Sequence, residues 1–170
     1  MQIQSRNTTG HGESTGNGNS EDHSRNHSKN LVALLESRVE EWGERPFFRF
    51  LVEGELDGIQ EELSFAALAG AARAIAARLT SEAARERPVL ILVPPGPHFL
   101  KAFFGCLYAG AIAVPMYPPD PARLQRSIER LQAIVNHCRS GLLLTTKEWS
   151  PMLAGAVHAS GLRMVTLDAV

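Results

Sequence analysis

Side chains that could carry chemistry are sparse in this sequence, and their spacing limits what each can do. The two cysteines, Cys106 and Cys138, stand far apart with no second cysteine near either, which excludes a zinc ribbon, a redox pair or a disulfide framework. A reactive thiol needs a base or a cation close by. Cys106 instead lies among Phe103, Phe104, Leu107 and Tyr108, and Cys138 falls on an apolar stripe, so both are expected in the core. His11, His23 and His27 fit no helical face and have no carboxylate or cysteine framework, so they read as solvated residues rather than metal ligands. Gly12-Glu13-Ser14-Thr15-Gly16 has glycines but lacks the Lys-Ser/Thr of a phosphate loop. His98, beside Pro97 at a helix start close to a strand's carboxyl end, either lies in a crevice or, the simpler reading, is exposed in the first helical turn; His137 and His158 have no spaced partners. Arg123, Arg126 and Arg130 form a stripe that could dock a phosphate or an acidic carrier protein; the simpler reading is a solvated charged face. Tyr117, set among prolines, either lines a substrate entrance or simply packs.

The elements that must position these groups begin after a polar leader. From Met1 to about Asn30 the only apolar side chains are Met1 and Ile3, too few to offset the entropy of ordering the segment. Leu31, Leu34, Leu35, Val39 and Trp42 then recur at helical spacing between a capping Asn30 and a stop at Gly43. Phe47 to Val52 and Ile59 to Phe65, joined by a polar, glycine-bearing link, predict a hairpin. Ser64 can cap a helix whose stripe is Leu68, Ala71, Ala72, Ile75 and Leu79, and its alanines allow close packing. Short apolar runs (89–93, 112–114, 142–145, 164–167) then alternate with helices near 97–109, 122–138 and 149–158. That pattern predicts an α/β fold with a mostly parallel sheet and crossover helices. Such sheets bind ligands beyond the carboxyl ends of their strands, here Pro94-Pro95-Gly96, Pro115 to Pro119 and Thr145-Thr146-Lys147.

Composition narrows the function classes. The 170 residues are 44% apolar and carry a formal net charge of −1, with 17 Lys and Arg against 18 Asp and Glu, so no basic excess draws the chain onto nucleic acid. The polar N-terminus has no apolar run of a secretory signal, and unpaired cysteines suit a reducing, cytoplasmic setting. The uncharged run Ala102 to Pro119 is cut by Gly105, Gly110 and three prolines, so helix, turn and buried strand is expected there rather than a membrane span.

Three stretches carry a family resemblance: Val89 to Gly96, Phe99 through Gly110, and Ile112 to Pro119. They resemble the early part of the fatty acyl-AMP ligases, within the adenylate-forming superfamily of AMP-dependent synthetases. Glu62-Leu63-Ser64-Phe65-Ala66-Ala67-Leu68 is similar to the first core motif of that superfamily and Leu107 to Pro115 to its second. Arg130 to Val135, Leu143-Leu144-Thr145-Thr146 and Val165 to Asp168 continue the match in order. The Tyr-Pro-Pro after the second motif favours the acyl-AMP ligases over the CoA ligases.

The resemblance implies that residues 31–170 are the N-terminal portion of a large ligase domain, with residues 1–30 as leader. The parent enzyme would use ATP and Mg²⁺ to convert a fatty acid into an acyl-adenylate, then pass the acyl group to an acyl carrier protein. The family's phosphate loop, its adenine and ribose contacts and its catalytic lysine have no counterpart among these residues, and Thr145-Thr146-Lys147 is not that loop. No catalytic, cofactor-binding or metal-binding residue is therefore assigned, and the chain is expected to be inactive alone. The alternatives are a stand-alone module binding a carrier protein or partner subunit, or a small nucleotide-binding α/β domain. Uncovered sheet edges also predict poor solubility of the isolated chain.

Overall fold

The computed structural model describes residues 30–117 and 124–167. The leader, its histidines and Gly12 to Gly16, together with Pro118, Pro119, Arg123 and Asp168, lie outside the described residues. Helix α1 (Leu31–Trp42) opens where the Asn30 side-chain oxygen accepts the Ala33 N–H at 2.9 Å, and closes where the Gly43 N–H bonds the Val39 carbonyl. Its stripe is only partly covered: Leu35 is buried, while Leu31 and Leu34 stay exposed on an apolar groove shared with Phe47 and Phe65.

Strands β1 (Pro46–Leu51) and β2 (Gln60–Ser64) form the expected antiparallel hairpin, with Arg49 directly opposite Glu62 and ion-paired to it at 2.5 Å. Phe65 opens helix α2 (Phe65–Ser81) instead of ending the strand, because the Ser64 hydroxyl accepts the Ala67 N–H at 3.1 Å and turns the chain into the helix.

A four-stranded parallel sheet follows, in the order β4-β3-β5-β6, from β3 (Pro88–Ile91), β4 (Ile112–Pro115), β5 (Leu142–Thr145) and β6 (Arg163–Thr166). Helices α3 (Pro97–Tyr108), α4 (Leu124–Cys138) and α5 (Ser150–Ala159) are the crossovers. Strand alternation divides the core. Val89, Ile91, Val93, Leu142 and Leu144 pack on the face covered by α2 and α3, with Ile75, Leu79, Ala102 and Cys106. Leu90, Leu92 and Leu143 pack on the opposite face with Leu131 and Val135 of α4 and Leu153 and Val157 of α5. The apolar runs of β3 and β5 thus reflect burial on both faces. The strand expected to be buried at 112–114 is instead exposed in part: among the described residues β4 and β6 lie at the sheet edges with one neighbour each, and Ile112 on β4 is 54% exposed.

Four helices enter their next strand through the same turn. The N–H of Ala84, Ala111, Ser140 and Leu162 each reaches back five residues, to the carbonyls of Leu79, Cys106, Val135 and Val157, and the residue before each donor has positive φ. This is the Schellman closure that a left-handed residue permits. Gly110, expected as a helix stop, fills that position after α3, as does Gly161 after α5; Ala83 and Arg139 adopt φ of +54° and +52° at the other two. Left-handed backbone costs an L-residue about 1–2 kcal/mol, and glycine returns part of that gain as unfolded-chain entropy. Ala83→Gly is therefore expected to raise stability by up to about 1 kcal/mol in urea denaturation.

Candidate functional site

The sheet reverses its winding direction between β3 and β5, so their carboxyl ends mark the crevice where an α/β fold takes a ligand. Neither end forms a phosphate cradle. Pro94 and Pro95 have no N–H to offer, and Gly96 (φ +125°) lies so close to the hairpin that an added Cβ would stand 3.2 Å from Phe50 Cε1. Thr145 and Thr146 are buried, and their hydroxyls have no partner among the described residues. Both hydroxyls thus lie below the surface, on a segment without glycine.

An apolar cleft of about 150 Å³ opens beside that crevice, between the end of β4 and helices α4 and α5. Leu92, Met116, Ile128, Leu131 and Leu153 line it, and Tyr117 and Arg130 stand at its polar edge. Tyr117 is 81% exposed, with the Arg130 guanidinium 5.9 Å from its ring centroid, so it rims the cleft and does not pack into the core. Arg126 and Arg130 lie exposed on α4, away from the stripe that buries Leu131 and Val135. The cleft can hold an apolar group; among the described residues its polar lining is Ser127, Tyr117 and Arg130.

The other candidates are dispersed. Burial pushes the Cys106 thiol up to about 12, which keeps it a protonated core group. Cys138, expected in the core, is only half-buried at the end of α4, and His98, expected at the surface, is half-buried in the first turn of α3; His137 and His158 are exposed on separate helices. Among the described residues no three His, Cys, Asp or Glu side chains gather to hold a metal, and no helix is long and apolar enough to cross a membrane.

A polar cluster that sequence patterning did not single out ties three helices together. Glu36 Oε1 on α1 accepts the Tyr108 hydroxyl of α3 at 2.5 Å and Arg73 Nη1 of α2 at 2.6 Å. The Tyr108 hydrogen bond and then Arg73 hold the Glu36 carboxyl below its ordinary range, against the opposing effect of burial. Partial burial first, and the carboxylate second, push the Tyr108 hydroxyl up. A carboxyl with a lowered folded-state pKa stabilises the protein above its unfolded pKa, and that contribution is lost as pH falls through the folded value. Glu36→Gln is expected to cost about 0.5–1.5 kcal/mol at neutral pH. The gap from the unchanged chain should close as pH drops through the acid range, read from denaturation midpoints at stepped pH.

Solved adenylate-forming enzymes share this hairpin and parallel sheet, and the chain matches part of their fold. The crystal structure of a fatty acyl-adenylate ligase from L. pneumophila, in complex with acyl adenylate and pyrophosphate, superposes with a TM-score of 0.70 at 29% identity, over 82% of this chain and 23% of that one. The AMP-binding enzyme family matches residues 35–169, and the chain belongs to that family. The medium-chain-fatty-acid–[acyl-carrier-protein] ligase JamA of Moorena producens is 41% identical over 115 residues, 68% of this chain and 19% of JamA. The long-chain-fatty-acid–AMP ligase FadD32 of Mycolicibacterium smegmatis is 38% identical over 120 residues, 69% of this chain and 18% of FadD32. The chain spans about a fifth of the length of these curated relatives.

Proposed function

We propose that the chain is the N-terminal portion of the large domain of a fatty acyl-AMP ligase, with residues 1–30 as a leader and residues 31–170 as the folded part. The whole enzyme joins a fatty acid carboxylate to the α-phosphorus of ATP, releases pyrophosphate, and passes the acyl group to the thiol of a carrier protein. Conversion to the adenylate is needed because a carboxylate oxygen is a poor leaving group; ATP supplies the good one, and Mg²⁺ offsets the charge gathering at phosphorus. The observation that carries this reading is the match of residues 35–169 to the AMP-binding enzymes, with both curated ligases aligning over about two thirds of the chain.

The part played by these residues is architectural. They build the first sheet, the crevice at its carboxyl edge and an apolar cleft beside it, and they provide no phosphate cradle. The chain alone is therefore inactive, and the sealed Thr145 and Thr146 argue against the reading as a small nucleotide-binding domain. The free cysteines, one of them buried, suit a reducing cytoplasm.

A segment exchange tests the assignment. Residues 31–167 replace the matching segment of JamA, and acyl-adenylate formation from a medium-chain fatty acid is followed by ATP–pyrophosphate exchange. The chimera is expected to remain active and the isolated chain to give no exchange above blank. A chimera that folds but makes no adenylate, or an isolated chain that does, would overturn the proposal.

A further inference from the structure

At the opposite, amino end of the sheet, a second cavity of about 250 Å³ is lined by residues that include Arg87, Arg139 and Arg163, around the start of β5. Arg87 immediately precedes β3, Arg139 follows α4, and Arg163 opens β6. Three elements far apart in sequence thus bring arginines to one opening. Glu82 is the one carboxylate in the lining, and it is already engaged: Oε2 takes Arg163 Nη1 at 2.7 Å and Oε1 faces Arg78 Nη2 at 3.4 Å. Neither Arg87 nor Arg139 makes an ion pair among the described residues. Gly141 lies in the same lining, and a Cβ added to it would meet nothing within 4 Å, so bare backbone faces open space there.

We propose that this cavity is a binding site for a phosphoryl anion, distinct from the crevice at the carboxyl end and independent of the function proposed above. Basic residues at helix carboxyl ends ordinarily answer the helix dipole. That accounts for Arg78 in the last turn of α2 and for Arg139 after α4, but Arg87 and Arg163 sit at strand starts. The local carbonyls of Leu79 and Val135 are also already taken by the capping N–H groups of Ala84 and Ser140. With Arg163 held by Glu82, Arg87 and Arg139 are the lining arginines without an ion pair among the described residues, and a guanidinium fork matches phosphoryl oxygens in pairs. A space of this size, at roughly 30 Å³ per water, accepts a phosphoryl group with part of its hydration shell.

The test is calorimetric titration of the full chain with inorganic phosphate and with pyrophosphate, at constant ionic strength set with sodium chloride. Saturable binding is expected for both, tighter for pyrophosphate, which can engage two guanidinium forks. Arg139→Gly removes the side chain and eases a left-handed backbone, so it keeps the fold while weakening binding by about tenfold or more. Arg87→Gln is expected to weaken it similarly, and Arg126→Gln, on α4 beyond the lining, to leave it unchanged. Phosphate preferred over pyrophosphate would revise the ligand to a single phosphoryl group and overturn the two-fork geometry. No saturable binding, or Arg139→Gly and Arg87→Gln titrating like the unchanged chain, or Arg126→Gln weakening binding equally, would overturn the site itself.

Discussion

Gly105→Ala is expected to destabilise the chain by about 1–3 kcal/mol, although alanine is the better helix former. The reason is the α2–α3 crossing. A Cβ built on Gly105 would lie 2.5 Å from Ile75 Cγ2 and 2.7 Å from Ile75 Cβ, with the Ala72 carbonyl at 3.5 Å. The first contact could be relieved by a rotamer change; the second cannot, because a Cβ is fixed by its backbone. The two helices must therefore separate, and that would loosen the cluster of Ile75, Leu79, Ala102 and Cys106 against β3 and β5. Ile75→Ala should rescue little of the loss, since it keeps the Cβ. Gly70→Ala on α2 supplies the opposite sign: nothing stands within 4 Å of its added Cβ, so it should gain roughly 0.5–1 kcal/mol. Urea denaturation of the three variants checks the set, and a Gly105→Ala chain as stable as Gly70→Ala would show that the helices are not in contact there.

Much of this packing was legible in the residues. The alanine stripe of α2 predicts a close helix neighbour, and α3 meets it at Ala72 and Ile75. Asn30 and Ser64 cap the helices they were expected to cap, and Gly110 terminates α3, because each role rests on local chemistry readable over a few residues. The mostly parallel sheet follows from short apolar runs; in β3 and β5 both faces are covered, which leaves no room for alternation, whereas the edge strands β4 and β6 are only partly covered. Strand order is less accessible: that β3 lies between β4 and β5 depends on which way each crossover turns, which no local pattern encodes.

The polar features were harder to read for the same reason. Glu36, Arg73 and Tyr108 are each unremarked on their own helices, and their cluster exists only because α1, α2 and α3 converge. Arg87, Arg139 and Arg163 likewise look like ordinary charges near element ends until the parallel sheet brings those ends into line. Leu31 and Leu34 show the converse limit. Helical spacing marks them as one face with Leu35, but spacing does not say how far a neighbour extends, and only Leu35 is buried. The crevice followed from the parallel-sheet rule, whereas its lack of a phosphate cradle needed the contact of Gly96 with Phe50 and the burial of Thr145 and Thr146.

Leu143→Ala and Leu144→Ala are each expected to cost about 2–5 kcal/mol, and the pair tests the layered architecture directly. These consecutive β5 residues are fully buried but point to opposite faces, Leu143 toward α4 and α5, Leu144 toward α2 and α3. In a sheet with one solvated face, one of the two truncations would be nearly neutral, because its side chain would lose little burial. Here each leaves a cavity in a separate cluster. The total stability of a domain is commonly about 5–15 kcal/mol, so the double variant should fall near or below the threshold for folding. Single-variant urea midpoints decide the matter: two large losses with unchanged slopes fit a doubly covered sheet, whereas one loss under about 1 kcal/mol would mean that α4 and α5, or α2 and α3, do not cover their face in solution. The same strand ends at Thr145 and Thr146 in the crevice. In the JamA chimera, either substitution should therefore reduce folded yield and adenylate formation together, with activity per folded molecule retained, because neither leucine reaches the crevice.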